Sequence, residues 1–198
     1  MIKFNSLSRE IPYLIFKEKY DLALSSGQKN IEAVSISSYD IKKKEVDSRF
    51  VNIKFLNKKD FIFFSNYKSP KSNAFSYHNQ ISALIYWPSI NVQIRMKSKI
   101  KKTPSEFNND YFKLRSKSKN ALAISSNQSK IIPYFDDVKE KYEDVKKKND
   151  LTKCPDYWGG FSFAPYSFEF WEGNDFRLNK RDLYLNDNKE WNHYVLEP

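Results

Sequence analysis

The sequence predicts an α+β domain whose strands pair mostly antiparallel, and three observations carry that expectation. Short runs alternate apolar with polar residues and are closed by Asn, Asp, Gly or Pro. Between them stand segments whose apolar residues recur at helical spacing. No internal repeat and no linker-like stretch divides the series, so the elements share one architecture, most economically a barrel with peripheral helices.

Residues 1–11 are polar and are expected as a flexible arm ahead of a single domain over residues 12–198. Pro12 opens a helix whose Tyr13, Phe16, Tyr20 and Leu24 share a face, and Ser25-Ser26-Gly27 stops it. Residues 31–37 alternate as a strand, and 39–47 form a charged turn. Residues 48–55 and 61–65 form a hairpin around 56–60. A short helix over 69–79 begins near Pro70, and strands over 81–87 and 92–100 are divided by Pro88-Ser89-Ile90-Asn91. Thr103-Pro104-Ser105-Glu106 supplies an N-cap, a first-turn proline and an acid at the positive end of a helix that reaches Arg115. After a Ser/Lys/Asn-rich stretch, Phe135, Val138, Tyr142 and Val145 mark an amphipathic helix that ends in Lys146-Lys147-Lys148. Strands within 158–184 and over 191–196 close the sheet.

A chain of 198 residues with 40% hydrophobic and 17% aromatic residues has enough apolar material for a real core. No apolar run approaches the length of a membrane span, and the first residues lack a signal-peptide apolar core. Cys154 is the only cysteine, which rules out an intrachain disulfide or a cysteine metal cluster and makes a reducing cytoplasm the expected location. The net charge of +10 is spread along the whole sequence, so it fits a phosphate-bearing small ligand better than nucleic acid. His78 and His193 stand in no catalytic motif, and no G-x-S-x-G occurs, so neither a serine hydrolase nor a metal catalyst is supported.

The densest chemistry lies after Trp158. Glu172-Gly173-Asn174-Asp175 is expected to turn the chain into Phe176-Arg177-Leu178-Asn179-Lys180-Arg181, where residues 177, 179 and 181 would leave one face of a strand. Two guanidinium forks and an amide with Trp171 across the hairpin suit a flat or anionic ligand. These segments resemble the C-terminal signature of the pyridoxamine 5'-phosphate oxidases, which reads W-G-G-[FY], E-F-W-Q-G and R-L-H-[DE]-R. The resemblance runs over residues 12–198, with the motifs in family order.

It implies an FMN-binding split β-barrel with peripheral helices, acting as a homodimer. The implied reaction is oxidation of pyridoxine or pyridoxamine 5'-phosphate to pyridoxal 5'-phosphate, with O2 giving H2O2. Arg49-Phe50-Val51-Asn52-Ile53-Lys54 resembles R-x-V-x-x-K, which implies Arg49 at the FMN phosphate and Lys54 near flavin and substrate. Positions 49 and 54 face opposite sides of an ideal strand, so a bulge or barrel twist is required. Phe64-Ser65-Asn66 with Lys68-Ser69-Pro70-Lys71 resembles Y-T-N-x-x-S-R-K and implies Phe64, Ser65 and Lys71 in a phosphate cradle, Pro70 standing where the family has Arg. Gln93, Gln128, Ser129, Trp171 and Arg181 complete the implied cofactor set.

Tyr111-Phe112-Lys113-Leu114-Arg115 resembles Y-F-x-x-R, the clamp on the substrate phosphate, with Tyr111 and Arg115 on one helix face. Lys119 stands where the family has Ser. Arg177 and Asn179 are implied as the catalytic pair at the substrate, an amide replacing the family's imidazole. Pro70, Lys119 and Asn179 keep open an FMN oxidoreductase acting on a different substrate, and a non-catalytic flavin-binding protein is a third class.

Overall fold

The computed structural model describes residues 1–188 and 190–198. The strands are β1 (Lys3–Asn5), β2 (Ala33–Asp40), β3 (Glu45–Asn52), β4 (Phe55–Asn57), β5 (Asp60–Asn66), β6 (Gln80–Trp87), β7 (Val92–Lys102), β8 (Trp158–Glu172), β9 (Lys180–Asp187) and β10 (Glu190–Val195). The helices are α1 (Ile11–Ser25), α2 (Pro70–Tyr77), α3 (Ser105–Leu114), α4 (Lys117–Ser125) and α5 (Asp136–Lys148), with a 3-10 turn at Pro88–Ile90. No helix among the described residues is long and apolar enough to cross a membrane.

All strands join one mixed sheet in which every pairing is antiparallel except β1 with β4. Its hydrogen-bonded path returns on itself. β2 pairs β6, β6 pairs β7, β7 pairs β8, and β8 pairs β5. The circuit closes through residues 53 and 54, where the β3–β4 chain changes partner: Ile53 N donates to Glu32 O, whereas Lys54 N donates to Ile62 O. This change of partner falls between Arg49 and Lys54.

β8 is the long strand on which the sheet branches. Its first half pairs β5 and its second half pairs β9, while β7 runs along its other edge. Phe161 and Phe163 point inward on odd positions and Phe168 and Phe170 on even ones, so one extra residue must intervene. It is Tyr166, skipped where Ser98 faces Pro165 and Lys97 faces Ser167. Proline has no N–H for a ladder, and a bulge is where a strand tolerates it. The inward rings meet α1: Tyr13 lies edge-on to Phe168 at 5.2 Å and Phe16 edge-on to Phe61 at 5.0 Å.

Gly159 and Gly160 open β8 for a steric reason. A Cβ at Gly159 would overlap the Tyr67 hydroxyl and the Asn108 amide, and one at Gly160 would overlap Thr103 Oγ1. That close approach docks α3: Gly160 N donates to Asn108 Oδ1 at 2.9 Å, and Thr103 N donates to Gly160 O at 3.0 Å. Thr103 therefore does not cap the helix as expected. Pro104 occupies the N-cap, and the Thr103 hydroxyl donates to Asn108 Oδ1 at 2.5 Å.

Other expectations shift at their margins. Residues 1–11 include β1 and the buried Ile2. Leu24 is 41% exposed, and Ala23 takes the buried place. The charged turn shrinks to residues 41–44. The Ser/Lys/Asn-rich stretch contains α4, and α5 buries no residue fully. Residues 173–179 form a loop, so the strand alternation expected for Arg177, Asn179 and Arg181 fails; of the three, only Arg181 is on a strand.

Gly159→Ala should lower stability by about 1–3 kcal/mol, the usual cost of forcing a methyl into a packed site. Urea denaturation should show a lower midpoint with an unchanged slope. An unshifted midpoint would mean that Tyr67 and Asn108 are not held against this backbone.

Candidate active site

A cleft of about 620 Å³ opens between the β3–β4 junction, the end of β5, α2, α3 and the start of α4. Its lining includes Lys54, Phe64, Ser65, Lys71, Tyr111, Arg115, Lys119, Gln128 and Trp158. Eight of the predicted site residues thus converge, from segments far apart in sequence. No carboxylate lines the cleft among the described residues.

Aromatic rings build one wall. Phe64 stacks against both Trp158 at 5.1 Å and Tyr111 at 4.0 Å. Arg115 Cζ lies 4.4 Å from the centre of the Trp158 ring, a cation–π contact. Trp158 is a wall residue that the motif reading leaves unassigned: W-G-G marks the glycines' turn, and nothing in the spacing shows what the indole faces. The Arg115 guanidinium donates through Nη2 to Lys119 O at 3.2 Å, while its buried Nη1 has no hydrogen-bond partner. A buried donor without an acceptor is costly, and an anion in the cleft would relieve it.

A second cationic group surrounds the start of α2. Lys71 is 7% exposed, and burial first, then the neighbouring Arg49 charge, pushes its ammonium down to about 8. Arg49 itself does not line the cleft. It stands behind Lys71 and donates to Ser38 Oγ at 2.8 Å and Ile36 O at 3.1 Å, with an ion pair to Asp47. Ser69 is fully buried at the N-cap of α2, and its hydroxyl has no partner. An unsatisfied hydroxyl and a desolvated ammonium at the positive end of a helix together fit an anion such as a phosphate. Gln128 Oε1 accepts from Ser65 Oγ at 3.4 Å and Asn66 N at 3.3 Å, which leaves its NH2 group as a donor. Ser129 follows with a left-handed φ of 68° and does not line the cleft.

Burial also pushes Lys54 below its ordinary range, aided by Lys119 and Arg115 and opposed by Glu32, whose carboxylate lies 3.9 Å away. Burial raises the Tyr111 phenol and lowers the Arg115 guanidinium.

The remaining predicted residues lie elsewhere. Gln93 pairs directly with Trp171, and Trp171 with Arg181, so these three form one row across β7, β8 and β9. Arg181 donates to Glu169 Oε1 through Nε at 3.0 Å and Nη2 at 2.9 Å, and through Nη1 to Glu197 O at 2.9 Å. Glu169, which sequence reasoning missed as a partner, also accepts from Arg95 at 2.8 Å. Arg177 sits in the 173–179 loop at a left-handed φ of 61°, and Asn179 Oδ1 accepts from Asn174 N at 3.1 Å to close that loop. A single chain therefore brings neither the row nor the loop into the cleft.

Fold and cleft together define a sheet domain with a site lined by stacked rings and cations. The chain belongs to the pyridoxine/pyridoxamine 5'-phosphate oxidase family: it is 32% identical to the pyridoxine/pyridoxamine 5'-phosphate oxidase of Colwellia psychrerythraea over 96% of this chain and 88% of that protein. Residues 158–198 match the profile of the pyridoxine 5'-phosphate oxidase C-terminal dimerisation region. The fold superposes on PhzG from Burkholderia lata, solved with tetrahydrophenazine-1-carboxylic acid, with a TM-score of 0.89 and 19% identity over 98% of this chain and 100% of that one. It also superposes on a pyridoxamine 5'-phosphate oxidase-related, FMN binding protein from Nostoc punctiforme, with a TM-score of 0.78 and 13% identity over 96% and 99% of the two chains.

Lys71 gives the cleft a pH signature. An anion favours its charged form, so binding raises a free-state value near 8, and the affinity gained is fully present below pH 8 and lost as pH rises through the bound-state value. Sulfate keeps a constant charge over this range. Its affinity, measured by calorimetry from pH 6.5 to 9.5, should fall above pH 8 by up to about tenfold per unit. Lys71→Met should bind more weakly throughout and lose that step. A flat wild-type profile would place Lys71 outside the anion site.

Proposed function

We propose that this chain is an FMN-dependent oxidase of pyridoxine or pyridoxamine 5'-phosphate, forming pyridoxal 5'-phosphate and H2O2 with, for the amine substrate, water consumed and ammonia released, built as a single split-barrel domain that works as a homodimer. The observation that carries the reading is the pair of cationic groups, at Lys71 and at Arg115, set on either side of one aromatic wall with unsatisfied donors in each. Cofactor and substrate each bear one phosphate and one flat ring, and the cleft has that twofold character.

Lys71, the Ser69 hydroxyl, the positive end of α2 and, by its nearby charge, Arg49 would hold the cofactor phosphate, with Ser65 and Gln128 beside it. Tyr111, Arg115, Lys119 and Lys54 would hold the substrate phosphate. FMN held there would supply the redox chemistry, acceptance of a hydride equivalent from the substrate's C4' carbon and its passage to O2. Phe64, Tyr111 and Trp158 restrict a flat ring to one orientation and exclude water from its face.

Gln93, Trp171 and Arg181 serve the same flavin in this reading, but from a second copy of the chain, since one copy keeps them apart from its own cleft. The match of residues 158–198 to a dimerisation region supports that arrangement. Arg177 and Asn179 would reach the substrate on the same loop. Glu169, gripping Arg181, fixes the direction of its fork.

A second reading, an FMN oxidoreductase of the same fold with another substrate, is favoured by one observation: Asn179 is engaged in closing its own loop. The two separate on incubating the FMN-loaded protein with pyridoxine and pyridoxamine 5'-phosphates while following peroxide and pyridoxal phosphate together. Equal amounts of both products are expected. Arg115→Ala should lower kcat/KM for the phosphate esters roughly 10- to 100-fold, the worth of one charge-assisted contact of about 1.5–3 kcal/mol. Bound flavin with no turnover would favour the second reading, and failure to bind FMN would overturn both.

A further inference from the structure

The loop over residues 173–179 is held by more than its two ends. It closes on itself: Asn174 N donates to Asn179 Oδ1 at 3.1 Å, Phe176 N to Asn174 Oδ1 at 2.9 Å and Arg177 N to Asn174 O at 3.0 Å. These bonds keep Arg177 at its left-handed φ of 61°, which a non-glycine residue holds only where its surroundings fix it. At Gly173 the loop meets a second element. Gly173 N donates to the carbonyl of Asn91 at 2.9 Å, and Asn91 ends the 3-10 turn between β6 and β7.

The Asn91 side chain lies against the same glycine. A Cβ at Gly173 would overlap Asn91 Nδ2 and Cγ. Gly173 does not take a left-handed φ, so its neighbour and not its backbone requires glycine. That neighbour is itself fixed. Asn91 has a φ of 50°, its N–H donates to Pro88 O at 3.2 Å, and its Oδ1 accepts from the Tyr86 hydroxyl at 3.2 Å. Ser89 N donates to Gln28 Oε1 at 3.1 Å, and Ile90 packs on the core. The turn then enters β7, where Val92 pairs with Glu172 just before the loop begins. Asn91 therefore grips Gly173 through main chain and side chain together, from a turn anchored elsewhere.

We infer that Asn91 is a positioning residue, which braces Gly173 from the β6–β7 turn and so sets the direction in which the loop carries Arg177 and Asn179. The inference rests on the oxidase reading only for what those two residues touch; the brace is a property of the chain itself.

The test combines Gly173→Ala with Asn91→Gly, a change that leaves the left-handed turn available and removes only the side chain. Hydrogen exchange of the full chain is followed by mass spectrometry in peptides over residues 172–179, with peptides of β8 and β9 as the control. Gly173→Ala should speed loop exchange about tenfold in the wild-type background but less than about twofold on top of Asn91→Gly, because the group it strikes is then absent. The control peptides should not change. With FMN bound, kcat/KM for pyridoxine 5'-phosphate should follow the loop, falling about tenfold in Gly173→Ala and only about threefold in Asn91→Gly and in the double variant, with FMN affinity unchanged. An equal effect of Gly173→Ala in both backgrounds would overturn the inference. So would faster exchange in β8 and β9, a loss of FMN affinity in step with kcat/KM, or a loosened loop with undiminished turnover. A wild type that binds FMN without oxidising the ester, while loop exchange shows the stated coupling, would overturn the oxidase reading and leave the brace standing.

Discussion

Everything in this molecule hangs on β8, a strand that is paired on both edges and buried on both faces. Its two halves serve different partners, and Pro165 and Tyr166 mark the change of register between them. The first half presents Gly159 and Gly160 so that α3 can dock, which sets Tyr111 and Arg115 against Trp158. The second half carries Glu169 and Trp171 into the row with Arg181. One strand therefore positions both groups of candidate side chains.

The cleft it supports holds unneutralised cations that weaken the fold. Desolvating Lys71 and Arg115 without full compensation costs free energy, and their lowered proton affinities report that cost. The core of stacked rings around Phe61, Phe163 and Phe168 offsets it. An anionic ligand should then stabilise the folded chain strongly, because binding supplies the charge the site lacks.

Much of this was legible in the sequence. Pro12, Pro70 and Pro104 mark the starts of α1, α2 and α3, whereas the bulge at Tyr166 shows only in the pairing of β7 with β8. The five-residue spacing puts Arg49 and Lys54 on opposite faces of a strand, and despite the change of partner at residues 53 and 54 only Lys54 lines the cleft. What escaped had physical causes. α4 is written in Ser, Lys and Asn around a few apolar residues, too weak a period to read. Arg177 and Asn179 look alternate, but β8 ends at Glu172, and the loop needs Arg177 at positive φ and Asn179 as its internal acceptor. The orphan donors on Ser69 and Arg115 are properties of packing, which no spacing records. Nor does a sequence say whether Gln93 and Trp171 face the cleft of their own chain or of another.

That last point is the centre of the account, and mixing two crippled chains tests it directly. On the proposed dimeric reading, Arg115→Ala damages the cleft and Trp171→Ala damages the row, so either variant alone has two faulty sites per dimer. In a mixed dimer one site collects both faults and the other collects none. Purified mixed dimers, made by co-expression with two different tags, should therefore recover about half the wild-type oxidation of pyridoxine 5'-phosphate per dimer. Activity no greater than the average of the two parents would show that each chain builds its site alone.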